Sequence, residues 1–245
     1  MTIIRAQGFT GVLVRLSAAL MILALPLTGA ASEHPPLPAE DAQAWALRQQ
    51  VDNIRIYTLD QANSGFQAFK AVAELAVPIE NLMAVMINPE SCKAWVHNCS
   101  ESFAFGQGDF HQRFAYSVND MPWPVTDRDY VLRIRTHGNA DTGDIVMDLN
   151  AVPGIRAEVS SRVRVDRSDT LYRFTPDGDR TRMVWVQHTE PNGALPGWLV
   201  NNLLIEIPVK SIQALEAVAK EQAYQGYRLE WSDDGRLTGV IPAAQ

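Results

Sequence analysis

Residues 121–136 read Met121-Pro122-Trp123-Pro124-Val125-Thr126-Asp127-Arg128-Asp129-Tyr130-Val131-Leu132-Arg133-Ile134-Arg135-Thr136. Two prolines around a tryptophan cannot sit in a central strand, because each lacks the N–H that a ladder needs. Pro122–Pro124 is therefore a stiff bend leading into a strand over Tyr130–Thr136. In that strand Tyr130, Leu132 and Ile134 share one face, and Arg133 and Arg135 share the other. Just upstream, Asp109–Val118 forms another strand, with His111 and Arg113 opposite Phe110, Phe114 and Tyr116. Further strands follow the same logic at Ser102–Phe105, Ile145–Asn150, Ala157–Val165, Thr170–Phe174 and Arg182–His188. The turns between them (Gly106–Gly108, Gly138–Gly143, Pro153-Gly154, Pro176–Asp179) are too short for crossover helices, so the spacing predicts an antiparallel meander.

The flanks add helices. Asp41 offers a cap for a helix over Ala42–Gln50 anchored by Trp45, followed by strands at Asn53–Thr58 and Phe66–Val77. Pro78 opens a short helix, Ile79–Met86, ended by Asn88-Pro89. Downstream, Pro196 opens a helix reaching about Tyr224, with an apolar stripe of Val200, Leu203, Leu204, Ile207, Leu215 and Val218. Its polar face carries Asn201, Asn202, Glu206, Lys210 and Glu216, and Pro208 inside it removes one helical hydrogen bond. Residues 225–245 form a tail with a hairpin around Asp233-Asp234-Gly235. This order predicts an α+β fold in which a curved antiparallel sheet wraps around the long C-terminal helix. A cavity is expected between them.

The N-terminus stands apart. Arg5 and Arg15 precede an apolar run, Leu16–Leu27, and then the small residues Thr28–Ala31, the pattern of a secretory signal of the bacterial type. A run of 12 residues is shorter than the roughly 20 that a bilayer span needs, so cleavage is preferred to an uncleaved inner-membrane anchor. The expected organisation is a signal peptide at 1–31, a proline-rich leader at 32–40, a ligand-binding domain at 41–224 and the tail. Export points to the periplasm or beyond. There an oxidising environment favours pairing of Cys92 with Cys99, two buried free thiols being the alternative.

The 245-residue chain carries 28 acidic against 21 basic residues, a formal charge of −7 that argues against a nucleic-acid partner. Catalytic signatures are missing: no Gly-x-Ser-x-Gly, no His-Glu-x-x-His, no Cys-x-x-Cys and no phosphate-binding glycine loop. His34, His97, His111, His137 and His188 never pair at helical ligand spacing, so no metal is expected. The strand arginines either face solvent or reach a ligand's polar end.

Two motifs resemble a known family. Met121–Val131 is similar to the Pro-Trp-Pro…Arg-Asp-Phe-Val signature of START domains (steroidogenic-acute-regulatory-related lipid transfer). Glu190-Pro-Asn-Gly-Ala-Leu-Pro-Gly-Trp-Leu-Val-Asn202 resembles the stretch that leads into that family's last helix, and Trp95 matches a family tryptophan. The resemblance spans residues 41–223. It implies a helix-grip fold of the START/Bet v 1 type, whose C-terminal helix closes a tunnel around one lipid: a sterol, a phospholipid or a ceramide. It implies binding and transfer without chemistry, no cofactor, transient membrane contact, a monomer, and opening at the last helix and a loop near Gly138–Gly143. Strand parity and the helix stripe nominate Trp123, Tyr130, Leu132, Ile134, Met147, Trp185, Leu199, Leu203 and Ile207 for the lipid, with His111 and Arg113 for its head group. Cholesterol-carrying members use a buried acid–arginine pair, and its positions, counted from Arg128, fall here on Ala115 and Ile134. The competing readings are an enzyme resembling polyketide cyclases and an envelope interaction protein whose cavity is filled by Phe103, Phe105, Phe110 and Phe114.

Overall fold

The computed structural model describes Thr2 and residues 36–243. Apart from Thr2, the segment read as a signal peptide lies outside the described residues, as do residues 32–35 of the leader. In chain order the elements are β1 (Ala46–Val51), β2 (Ile54–Leu59), β3 (Ala68–Leu75), α1 (Ile79–Met86), α2 (Cys92–Trp95), β4 (Cys99–Phe105), β5 (Gln112–Asn119), β6 (Arg128–Gly138), β7 (Ile145–Ala151), β8 (Val163–Val165), β9 (Arg167–Asp177), β10 (Arg180–Glu190), α3 (Gly197–Ala219), β11 (Tyr227–Trp231) and β12 (Leu237–Pro242). The main sheet runs β1-β2-β3-β10-β9-β7-β6-β5-β4. After β3 the chain crosses through α1 and α2 to the far edge and returns strand by strand, and β10 closes the circuit against β3.

Three expectations are corrected. Ala42–Gln50 is not a helix: Ala46–Val51 pairs with β2 around a tight turn in which Asp52 takes φ 50°. Five of the six residues of β1 are exposed, as suits a polar edge strand, so no apolar period marks it and pairing overrides the helical propensity of Ala, Gln and Arg. Within Ala157–Val165 only Val163–Val165 is strand, and it runs parallel to β6, with Arg128 opposite Val163. The last helix ends at Ala219, and Gln222–Tyr224 forms a separate 3₁₀ turn.

Directly paired residues share a sheet face, so the register writes rows across the concave side. Gly138, Ile145, Phe174, Met183, Ala73 and Ile54 make one row; Thr136, Met147, Tyr172, Trp185, Ala71 and Ile56 make the next. A third runs Arg113, Ile134, Leu149, Thr170, Gln187 and Phe69. The first row is dry core, joined in one cluster with Leu82, Met83 and Val85 of α1 and Ile212 and Leu215 of α3. Leu237 and Val240 of the C-terminal hairpin belong to that same core. The later rows pass from core to open space.

The convex side has its own packing. Tyr116, Val118 and Val131 cluster with Phe103 and Phe105 beneath the Arg156 guanidinium. The carboxylate of Asp129 is fully buried there and takes Nε and Nη2 of Arg164 at 3.0 and 2.8 Å, together with the Tyr116 hydroxyl at 2.9 Å. Burial alone would raise the Asp129 pKa, but the hydrogen bonds from Arg164 and Tyr116 outweigh it and hold the carboxyl below its ordinary value. Leu37 and Trp45 pack on Val72, Val184 and Val186.

Candidate functional site

Two adjoining lobes lie between the concave face and α3. The first, about 140 Å³, is floored by Ala115, Leu132, Ile134, Met147, Leu149, Tyr172 and Trp185, and walled by Cys92, Trp95 and Val96. The second, about 100 Å³, is bounded by Phe69, Met121, Arg128, Leu195, Val200, Leu203 and Leu204. Asn119, Tyr130, Gln187 and Ile207 line both. Each lobe is smaller than the roughly 300 Å³ at which ligand pockets begin, so a lipid-sized guest requires α3 or its neighbours to move.

The wall around Trp95 is covalently fixed. Cys92 and Cys99 form a disulfide with Cα atoms 6.0 Å apart. Within the closed loop, the backbone N–H of His97 donates to Ser211 Oγ on α3 at 2.9 Å. Trp95, Tyr172 and Trp185 meet edge-on or tilted, with ring centroids 5.1–6.3 Å apart, and narrow the first lobe.

The lumen is not uniformly apolar. Trp185 Nε1 donates to Gln187 Oε1, Gln187 Nε2 donates to Thr189 Oγ1, and Thr189 meets Ser168, so that chain is internally satisfied. By contrast the side chains of Ser117, Asn119, Tyr130 and Thr170, all lining the lumen, have no hydrogen-bond partner among the described residues. Burial pushes the Tyr130 phenol up to about 12, so it stays a neutral donor.

Of the nominated residues, Tyr130, Leu132, Ile134, Met147, Trp185 and Ile207 line the first lobe, and Leu203 lines the second. Trp123 does not: it is 93% exposed, because the Pro122–Pro124 bend carries it away from the sheet. Leu199 is buried but lines neither lobe, since the helix turns its side chain aside from the lumen stripe. His111 also lines neither; its Nδ1 lies 3.4 Å from the Thr136 carbonyl. Arg113 stands at the head of the third row, beside lumen residues but behind their surface. Ala115 faces Leu132, and Ile134 faces Arg113, so no acid–arginine pair exists at those positions. Phe103 and Phe105 sit in the outer cluster and Phe114 packs against Phe105, so they do not fill the cavity.

Gly138 abuts the C-terminal hairpin, where a Cβ would meet Leu237 at 2.9 Å, and Asn139 bridges Arg236. The second lobe lies toward the other end of β6, bordered by residues of the 119–128 and 191–200 segments. There the buried Arg128 donates to the carbonyls of Thr126, Pro191 and Asn192, fastening the two segments together. Residues missed by strand parity include Trp95, Tyr172, Leu149, Ser117 and Thr170. Register, which sequence does not contain, is what brings them together.

A family model for the START domain matches residues 30–225. An uncharacterized protein of Pseudomonas aeruginosa is 28% identical over 182 residues, covering 74% of this chain and 89% of the relative. The phosphatidylcholine transfer protein of Rattus norvegicus is 28% identical over 171 residues, covering 67% and 78%. The crystal structure of a STAR-related lipid transfer protein fragment from Xanthomonas axonopodis superposes with a TM-score of 0.67 at 24% identity, covering 73% of this chain and 99% of that one.

Proposed function

The chain belongs to the START domain family, and from that premise we propose that it binds one hydrophobic molecule in the lumen beneath α3 and exchanges it with a membrane, without catalysing a reaction on it. The observation that carries this reading is the two-lobed lumen beneath α3, apolar rows interrupted by four polar side chains that have no hydrogen-bond partner among the described residues. These groups face the open space of the lumen, and a guest with a polar end would hydrogen-bond them as its apolar part displaces water, so that none is buried unpaired in the complex. Affinity for the guest would come mainly from apolar surface removed from water. The likeness to a phosphatidylcholine transfer protein supports a lipid as the guest class.

Two tryptophans are exposed, Trp123 at 93% and Trp198 at 60%, one in each of the two segments that border the second lobe. Indole rings favour the membrane–water interface, so we place the transient membrane contact at these two residues. Export across the inner membrane, read from residues 1–31, sets the proposed working place in the periplasm, with the protein acting as a monomer. Among the described residues no helix is long and apolar enough to cross a membrane.

The test is native mass spectrometry of protein purified from its own envelope, followed by extraction and lipid identification. A single lipid-sized adduct released on denaturation is the expected result. Bare protein that also takes up no lipid from vesicles overturns the proposal and leaves an envelope interaction role or an enzyme acting on a different guest.

A further inference from the structure

The third concave row begins with a residue that the protein itself does not satisfy. Arg113 pairs across the ladder with Ile134, and two positions along its strand is Ala115; both of these line the first lobe. Its Nη1 is occupied, donating to the Phe110 carbonyl and to Thr136 Oγ1, each at 3.0 Å. Those two bonds fix the plane of the guanidinium. Nε and Nη2, on the opposite edge, are out of contact with solvent and have no partner among the described residues. Burial is the influence acting on the pKa of this group, lowering it, and an arginine stays protonated regardless.

A fixed, buried, half-satisfied cation is costly, since each orphaned donor carries its full desolvation penalty. The Nε/Nη2 edge is also specific: two parallel N–H groups match the two oxygens of a carboxylate or phosphate. The same chain shows this edge in use. Arg164 presents Nε and Nη2 to Asp129 Oδ1 and Oδ2 at 3.0 and 2.8 Å. Arg113 carries the same pair of donors with no anion on them, covered by protein and just behind the Ala115 and Ile134 surface of the first lobe.

We propose that the movement which admits a guest also uncovers Arg113 as an anion-binding end of the lumen, so that the guest is an amphiphile with a carboxylate or phosphate seated on the Nε/Nη2 edge and its chain lying along the Ile134–Leu149 row. The small lobes favour a single-chain guest. This rests on the ligand-cavity reading above and adds the charge and position of the guest's polar end.

The test uses the purified protein and four single-chain probes: oleate, oleoyl lysophosphatidate, oleyl alcohol and monoolein. Equilibrium affinities, read by quenching of the lumen tryptophans, are compared for wild type, Arg113→Met and Arg113→Lys. Wild type is expected to prefer at least one anionic probe over the neutral ones by about tenfold or more. The preferred anion distinguishes a carboxylate guest from a phosphate guest. Arg113→Met should reduce the preference to within about threefold while leaving the neutral probes bound as before, and Arg113→Lys, which keeps charge but loses the paired edge, should fall between. If Arg113→Met does not fold, Arg113→Lys decides, an unchanged preference counting against the proposal. Equal affinity of all four probes for wild type overturns this inference and leaves the cavity reading standing. No binding of any probe overturns the cavity reading itself.

Discussion

The two halves of α3 have similar apolar content and very different surroundings. Beyond Pro208, Ser211, Ile212 and Leu215 are essentially inaccessible and pack into the main core. This half is also held by polar contacts, from the His97 N–H to Ser211 Oγ and from Asn81 Nδ2 to the Ala219 carbonyl at 3.4 Å. Before Pro208, Leu203, Leu204 and Ile207 are only half-buried above the lumen, and Trp198 faces out. Pro208 lies at the boundary, where its missing N–H removes one bond joining the halves. One half of the helix is therefore an anchor and the other a cover, and the difference comes from what lies beneath each. Segments with little buried apolar contact are those that open locally at low free-energy cost.

The largest expected effect breaks the anchor. Leu215→Ala should lower the unfolding free energy by about 2–5 kcal/mol, whereas Leu203→Ala should cost under about 1 kcal/mol and show mainly as weaker lipid binding. Urea denaturation of the two variants checks this, and equal losses would abolish the distinction between halves. Next comes the disulfide that carries His97 to the anchor. Replacing Cys92 and Cys99 with serine should cost about 2–3 kcal/mol by the loop-entropy estimate for a short ring. Hydrogen exchange around Ser211 should rise with it, more than exchange near Leu203.

Much of this architecture was legible in the sequence, and the gaps have physical causes. Strands β6 and β9 announce themselves by alternating burial, β5, β7 and β10 by runs of buried residues between turn signals, and α1 because nearly all of its residues are buried. β1 was unreadable, since an exposed edge strand carries no apolar alternation. Lumen residues on the strand that begins at Arg128 were recoverable from parity alone. Trp123 was not, because aromatic character says nothing about which way a proline bend points. Nothing in the sequence marks out Ser117, Asn119 and Thr170. Their role depends on the register that sets Ser117 opposite Tyr130 and Thr170 opposite Leu149. Arg113 was nominated on parity, but its unsatisfied edge is visible only once Phe110 and Thr136 are seen to occupy the other.

A smaller effect sharpens the boundary. Pro208→Ala should restore the missing hydrogen-bond donor and stiffen the junction between cover and anchor. Stability should change by less than about 1.5 kcal/mol, because the restored bond is offset by altered packing at a buried site. Lipid uptake from vesicles, followed by stopped-flow fluorescence, should slow while equilibrium affinity stays the same. Unchanged uptake would show that the cover moves by some other hinge.

The smallest effect lies at the point where both halves are touched by one residue. His97 gives its N–H to Ser211 in the anchor, while its ring Nε2 lies 3.6 Å from Glu206 in the cover, and Glu206 is itself paired with Lys210. Burial is the largest influence on the ring and lowers its pKa; Lys210 lowers it further, and Glu206 opposes both without prevailing. A pKa below that of the unfolded chain means that the folded state favours neutral His97. The associated stability is complete above the unfolded value near pH 6.5 and is lost as pH falls through the lower folded value. With the ring partly open to solvent, the loss should stay under about 1 kcal/mol. Between pH 8 and pH 5, His97→Gln should remove this part of the decline measured by urea titration. Glu206→Gln should steepen the decline, because it removes the one group that supports the imidazolium and leaves Lys210 to repel it. A shallower decline in Glu206→Gln would mean that the Glu206 contact, and not burial, governs the ring.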